Sequence, residues 1–354
     1  MTGTPPIFQH LFQGTVLDIP TSQRVVLLRK FGGSECLDVV DSPVPNPGFG
    51  EVLVRVLAAS VQFTDVMLRK GQYPDLKEKP PLVLGYDLVG EVVKIGPGVS
   101  SLMIGERVAD LTMTGSYAQY RTLVAESCTI VEDRLDPAVA TSLVLSWMTA
   151  YQLLHRDARV QSGQKLLVTG AAGAVGQALA VLAKLAGCEV WGTASARHAG
   201  LVRALGATYV DRDVADLGQV LKGGFDAVFD GIAERGFSRA WRAVGSRGHL
   251  SAFGVSAGIQ RNASIALLGF WMAKLRWWNL TSRGRSTSFY SIMSMRKKHP
   301  EWFLHDLETL LGVLTRGDIN PRIADRIGLD AVAQAHTRIE QGGLEGKIVL
   351  TPNG

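Results

Sequence analysis

KLLVTGAAGAVGQALAVLAKLAGCEVWGT, residues 165–193, is the stretch from which the rest of the chain can be read. Residues 165–169 form a short apolar, β-branched run of the kind that makes a buried parallel strand. The run breaks at Gly170-Ala171-Ala172-Gly173-Ala174-Val175-Gly176. Val175, Leu179, Leu182 and Leu185 then recur at helical spacing, and residues 189–193 read as a second strand. The whole is one strand–helix–strand unit. Inside it, Ala171-x-Gly173-x-x-Gly176 is a dinucleotide fingerprint with Ala at its first glycine. The middle glycine lets backbone approach a pyrophosphate, and the last lets the helix pack on the strand. The helix start, from Ala172 through Val175, offers unpaired N–H groups and a positive dipole end. A glycine triplet alone is an ordinary strand-to-helix turn; the strand before it and the helix and strand after it favour the dinucleotide.

An acid about 20 residues past the fingerprint would hold the ribose hydroxyls of NAD. Positions 191–195 contain none, and the strand ends Gly192-Thr193-Ala194-Ser195-Ala196-Arg197. A hydroxyl and a guanidinium suit a 2′-phosphate, which a carboxylate would repel. Thr193, Ser195 and Arg197 are therefore expected at NADPH. Arg212, after an expected strand at 208–210, adds a second cation. The plainer reading of Arg197 is a solvated loop residue.

Composition sets outer bounds. With 354 residues, 46% of them hydrophobic, the chain has room for two domains. The net charge of +5 does not point to nucleic acid. Cys36, Cys128 and Cys188 form no CxxC pair, so reduced thiols and a cytoplasmic protein are expected. No apolar run is long enough to span a membrane, and no secretory signal is read. Residues 1–23 are expected to be a loosely attached tail.

Before the fingerprint the chain reads as many short strands, at 24–28, 51–59, 82–105, 107–110 and 116–124, punctuated by Gly and Pro. That pattern suggests a compact, barrel-like β domain. Residues 137–155 are helical in period. Strands at 225–230 and 248–253 end in Gly231 and Gly254, with a helix at 237–244 between them, which fits a doubly wound parallel sheet. Ligands bind outside the carboxyl ends of such strands, so Asp230, Phe253 and Gly254 are expected at the cofactor crevice. Helices at 302–314 and 330–340 and a strand at 347–350 complete the chain.

This order of parts resembles the medium-chain dehydrogenase/reductase superfamily, and within it the zinc-free quinone oxidoreductase and enoyl reductase branch. The motifs that carry the resemblance are Ala-Ala-Gly-x-Val-Gly, the Gly-Thr-Ala-Ser strand end and the terminal Gly346-Lys347-Ile-Val-Leu350, and it covers residues 24–350. It implies a GroES-like catalytic domain at 24–146, rejoined by 282–354, around a Rossmann domain at 147–281, and a homodimer. In Val61-Gln62-Phe63-Thr64-Asp65, Asp65 matches the family's Asn-x-x-Asp beside the nicotinamide, and Gln62 departs from it. Gly71-Gln72-Tyr73-Pro74 is similar to a segment whose Tyr faces the substrate. Trp147-Met148-Thr149-Ala150-Tyr151 resembles a Gly-Leu-Thr-Ala-Tyr helix at the nicotinamide, with Trp147 narrowing the pocket. Lys347 resembles a cofactor-contacting lysine.

Zinc members of the superfamily carry a Cys near position 61 or 62, a Gly-His-Glu and a four-Cys lobe. Here the segment reads Gly85-Tyr86-Asp87 and the cysteines are scattered, so no metal is expected. The implied activity is hydride transfer from NADPH to a small-molecule acceptor, a quinone or an α,β-unsaturated carbonyl. Tyr73 or the Gln62 amide would donate to the developing oxygen, and Tyr73 or water would supply the proton. Asp65 is read as a helix cap ahead of a proton carrier, and His155 and His249 as structural. Two other readings stay open: an enoyl-thioester reductase acting on coenzyme A or carrier-protein substrates, and a membrane-surface protein that uses the fold for binding.

Residues 274–298 carry seven Lys or Arg and no acid, interleaved with Trp277, Trp278, Phe289 and Tyr290. A dimer seam with snorkelling cations, an anionic substrate handle held by Arg283 and Arg285, and an anionic membrane surface all fit this composition.

Overall fold

The structure is a computed structural model that describes residues 18–213, 224–256, 258 and 265–354. Most of the expected tail, residues 1–17, lies outside the described residues. Two front sheets, mostly antiparallel, and one parallel sheet divide the described residues.

In the front half, Ser22–Leu28 pairs antiparallel with Leu37–Pro43 and with the short Leu82–Val83. The larger front sheet runs in the order Ile323–Ile327, Lys347–Leu350, Glu51–Val61, Asp87–Ile95, Arg107–Leu111, Thr129–Ile130, and Tyr120–Val124 pairs off Glu51–Val61. Two of these strands come from the C-terminus. Ile348 lies opposite Val61 in an antiparallel pair, so the end of the chain returns to the β unit and sets Lys347 beside Gln62.

The third sheet has six strands, all paired in parallel: Thr208–Asp211, Glu189–Ala194, Lys165–Thr169, Phe225–Asp230, Val244–Ala252 and Ser286–Phe289. This is the doubly wound sheet expected from the sequence. Its last strand lies past the 281/282 division, which therefore falls one strand short. A helix ending at Thr281 and a turn at 282–285 gave no local sign that the chain would pair once more.

Residues 137–157 form one continuous helical path between the two units. Asp136 caps its start, accepting from Ala138 N at 2.9 Å. Leu143, Val144, Met148, Leu153 and Leu154 are buried along it. Helix Pro300–Thr315 packs against it through a buried polar knot at Asp306. That carboxylate accepts from Gln152 Nε2 at 2.9 Å and Arg156 Nη2 at 2.7 Å, and Tyr290 donates to Gln152 Oε1 at 2.6 Å. A buried polar group needs such hydrogen-bond partners to offset the water it has lost.

The basic aromatic segment spans the end of helix Ile265–Thr281, the edge strand Ser286–Phe289 and helix Ile292–Lys298. Trp241 and Trp278 stack at 4.9 Å and 6°, with the Arg285 guanidinium 5.2 Å over Trp241 and the Lys274 ammonium 5.0 Å over Trp278. Arg296 pairs with Asp110. His249 bonds Ser286 Oγ at 2.7 Å and Ser288 Oγ at 3.0 Å, and Asp157 accepts from Ser288 Oγ at 2.6 Å. This ties the edge strand to the linking helix.

Candidate active site

A cleft between the units is lined by Ser146 and Trp147 from the linking helix, Ala174 and Gln177 from helix Ala174–Leu185, and Arg322 and Lys347 from the returning C-terminal segment. Trp147 is almost fully buried in its wall, and Thr149, two residues on, is also buried.

Behind the wall, five polar side chains form one connected group. Lys347 Nζ donates to Gln62 Oε1, and Ser146 Oγ donates to the same oxygen at 3.2 Å. Gln62 Nε2 donates to Asp87 Oδ2 at 2.6 Å, and Asp87 Oδ1 accepts from Ser60 N at 2.9 Å. Gln62 N donates to Asp65 Oδ2 at 2.9 Å, closing a capping box on helix Phe63–Arg69. The Tyr117 hydroxyl lies beside Asp65 and donates to the Ser60 carbonyl oxygen at 3.5 Å.

One cation and two carboxyl groups are thus held away from water. Burial pushes the Lys347 ammonium down to about 8, although Asp87 and Asp65 pull it back up. Burial, followed by the Asp87 charge, pushes the Asp65 carboxyl up to about 8. Burial also raises Asp87, while Lys347 and the hydrogen bonds from Ser60 and Gln62 hold it down. A proton on Asp65, a carboxylate at Asp87 and an ammonium at Lys347 leave the least net charge buried.

The group corrects one expectation. Gln62 was a candidate donor to the substrate oxygen, but its NH₂ group faces Asp87 and its oxygen is taken by Lys347 and Ser146. Tyr73 stands differently. Its hydroxyl lies 2.5 Å from the Tyr86 hydroxyl, with the rings edge to face at 5.7 Å and 87°. Tyr73 is half-buried and Tyr86 fully buried. Burial pushes the Tyr73 hydroxyl up to about 12, and the hydrogen bond with Tyr86 works against that rise.

At the other end of the cleft, Gly173 begins helix Ala174–Leu185 with no side-chain cap, and Gly173 and Ala174 are exposed. A Cβ on Gly173 would meet only the Gly170 carbonyl oxygen, at 3.3 Å, whereas a Cβ on Gly176 would lie 2.3 Å from that oxygen and 2.8 Å from Ala171 Cα. Gly176 thus serves the helix–strand contact, and Gly173 leaves bare backbone facing outward. Together with the uncapped N–H groups, this cradle fits a pyrophosphate. Ala171 is buried under the turn, and Ala172 and Val175 are half-buried on it.

The Thr193 hydroxyl oxygen accepts from Gly170 N at 3.3 Å, and Ser195 Oγ lies 3.2 Å from His198 Nδ1. Arg197 is exposed, its guanidinium against the backbone of Gly343. Arg212 is exposed and 3.8 Å from Asp213. Asp230 is at the expected strand end, but its buried carboxylate accepts from Thr169 Oγ1 at 2.6 Å, Ile232 N at 2.8 Å and Ala233 N at 3.2 Å. It locks its own turn. The Phe253 ring covers Gly231, and Gly254 packs on the Gly231 backbone. Arg283 is exposed, and Arg285 is spent on Trp241; among the described residues no hydrogen bond or ion pair joins either to the Gln62–Lys347 group. Tyr86, Asp87, Ser146 and Tyr117 were missed as site residues. The only sequence signal for the first two was Gly85-Tyr86-Asp87, read solely for its lack of zinc ligands.

Residues 48–133 match the model of the alcohol dehydrogenase GroES-like domain, and residues 205–350 match that of the zinc-binding dehydrogenases. Prostaglandin reductase-3 of Mus musculus is 31% identical over 327 residues, covering 88% of this chain and 83% of that protein. The chain belongs to the medium-chain dehydrogenase/reductase superfamily. Its branch is that of the quinone oxidoreductases and enoyl reductases. A quinone oxidoreductase of Pseudomonas aeruginosa is 29% identical, over 91% of this chain and 97% of its own. The solved quinone oxidoreductase of Pseudomonas syringae superposes with a TM-score of 0.82 at 25% identity, covering 93% of this chain and all of that one. The superfamily binds nicotinamide dinucleotides, and this member is an NAD(P)H-dependent reductase. Among the described residues no three His, Cys, Asp or Glu side chains are grouped to hold a metal ion, and no helix is long and apolar enough to cross a membrane.

Proposed function

We propose that this reductase takes NADPH and reduces a quinone or the activated double bond of an α,β-unsaturated carbonyl compound. The observation that carries the reading is the end of strand Glu189–Ala194. There Ser195 and the exposed Arg197 stand where an NAD enzyme places an acid, one strand from the open cradle at Gly173. The bound nicotinamide supplies hydride. The chain's own residues supply the rest. The cradle holds the pyrophosphate, Trp147 closes the cleft beside Lys347, and Tyr73 offers an O–H to the oxygen or carbon that must gain a proton. The lysine end of the Gln62 network keeps that wall polar and fixed.

Replacing Arg197 by Ala is expected to weaken NADPH binding about tenfold and to leave NADH binding unchanged, since only the 2′-phosphate meets this cation. Calorimetric titration with both dinucleotides checks it; equal losses for the two would remove Arg197 from cofactor choice. The occupied state of Arg285 and Lys274 weighs against an anionic substrate handle on the basic segment. That edge also exposes Phe270 (62%), Trp277 (63%), Leu280 (83%) and Phe289 (44%). This supports its reading as the seam of a homodimer, which light scattering on the purified protein would show as twice the chain mass.

A further inference from the structure

Tyr86 sits at the bottom of a two-phenol chain whose direction is fixed by burial. Its side chain has no exposure, and the one hydrogen-bond partner of its hydroxyl among the described residues is the Tyr73 hydroxyl at 2.5 Å. Only one hydrogen can lie between the two oxygens. If Tyr73 supplied it, the Tyr86 hydrogen would be left in a closed apolar site with no acceptor, an arrangement that folded proteins avoid. If Tyr86 supplies it, both groups are satisfied, because the half-buried Tyr73 can turn its own hydrogen outward.

We infer that Tyr86 donates to Tyr73 and so positions Tyr73 as the proton donor, with its O–H aimed out of the core at the substrate. The inference rests on the reading of Tyr73 as the donor and adds a residue to it. The acceptor gains two electrons and one hydrogen as hydride from the bound nicotinamide. The anion so formed takes a proton from Tyr73 Oη, and the Tyr73 phenolate regains one from solvent. While Tyr73 carries charge, the Tyr86 hydrogen bond becomes charge-assisted and strengthens, so it favours the step at which the proton leaves. Asp75 is the nearby carboxylate that opposes this charge, and Asp65 opposes it only when ionised; Asp75 accepts from Ser291 Oγ at 3.3 Å, and Asp65 is the capping carboxyl of the Gln62 network.

The test is a double-mutant cycle with a 2-alkenal and NADPH. Tyr86→Phe is expected to lower kcat about tenfold without changing the KM for NADPH, and to cost nothing further in a Tyr73→Phe background. The same loss in both backgrounds would make Tyr86 a packing residue and overturn the inference. A second measurement separates the two claims. In protein labelled with 3-fluorotyrosine, the Tyr73 fluorine resonance should titrate at higher pH in Tyr86→Phe than in the parent. No displacement overturns the hydrogen-bond direction. A displacement with normal turnover in Tyr73→Phe removes Tyr73 as donor, and with it the positioning role of Tyr86.

Discussion

Gly176→Ala is expected to destroy dinucleotide binding and to lower stability by about 3 kcal/mol, the upper range for forcing an extra carbon into a packed site. The new Cβ would lie 2.3 Å from the Gly170 carbonyl oxygen and 2.8 Å from Ala171 Cα. Both obstacles are backbone atoms of the turn itself, so no side-chain rotation relieves them. The neighbouring Gly173→Ala separates packing from binding. Its Cβ meets one atom, at 3.3 Å, and otherwise points out of the fold. Gly173→Ala should therefore keep the parent's denaturation midpoint and lose NADPH affinity, because the methyl group occupies the path of the pyrophosphate. Denaturant titration and NADPH fluorescence titration on the two variants read both effects. A Gly173→Ala protein that binds NADPH as the parent does would place the pyrophosphate elsewhere.

Lys347→Met is the second large effect. It leaves the Asp87 carboxylate buried without the cation that reaches it through the Gln62 amide, and stranding a buried charge costs about 3 kcal/mol, the lower end for a broken buried pair. The loss should depend on pH. Burial already raises Asp87, and Lys347 is one of the groups that hold it down. Without the lysine Asp87 rises further, and a carboxyl raised in the folded state contributes stability that disappears as pH climbs through its folded value. The deficit of Lys347→Met is therefore expected to shrink toward acid pH and to grow toward neutrality. Adding Asp87→Asn removes the stranded charge and should recover most of it. Urea midpoints across acid to neutral pH test this; a Lys347→Met protein as stable as the parent would show that the ammonium does not offset the Asp87 charge in the folded state.

What could be read from the sequence was local. The strand, turn and helix at 165–185 announce themselves through glycine spacing and a helical apolar period, and the final strand at 347–350 through its β-branched run. What could not be read depends on chain segments meeting from far apart. Gln62 and Lys347 are separated by 285 positions and Gln62 and Asp87 by 25, and no periodicity encodes those contacts. The same limit explains Gln62, whose amide looked like a free donor until Asp87 and Lys347 came to its two ends. Asp230 shows a different failure. The rule for strand ends put it at the end of its strand, but the direction of its carboxylate was decided by the turn amides of Ile232 and Ala233, which a carboxylate can satisfy only by pointing inward. Strand Ser286–Phe289 joined the parallel sheet because Val244–Ala252 offered an open edge, a property of the assembled sheet rather than of residues 286–289.

The most direct test of the account is dinucleotide consumption by the purified protein, with NADPH and NADH run side by side against a quinone, a 2-alkenal, a cyclic enone and an enoyl thioester. NADPH is expected to be oxidised much faster than NADH, with the quinone, the 2-alkenal or the cyclic enone as acceptor. NADH used as readily as NADPH, or turnover confined to the thioester, would contradict it.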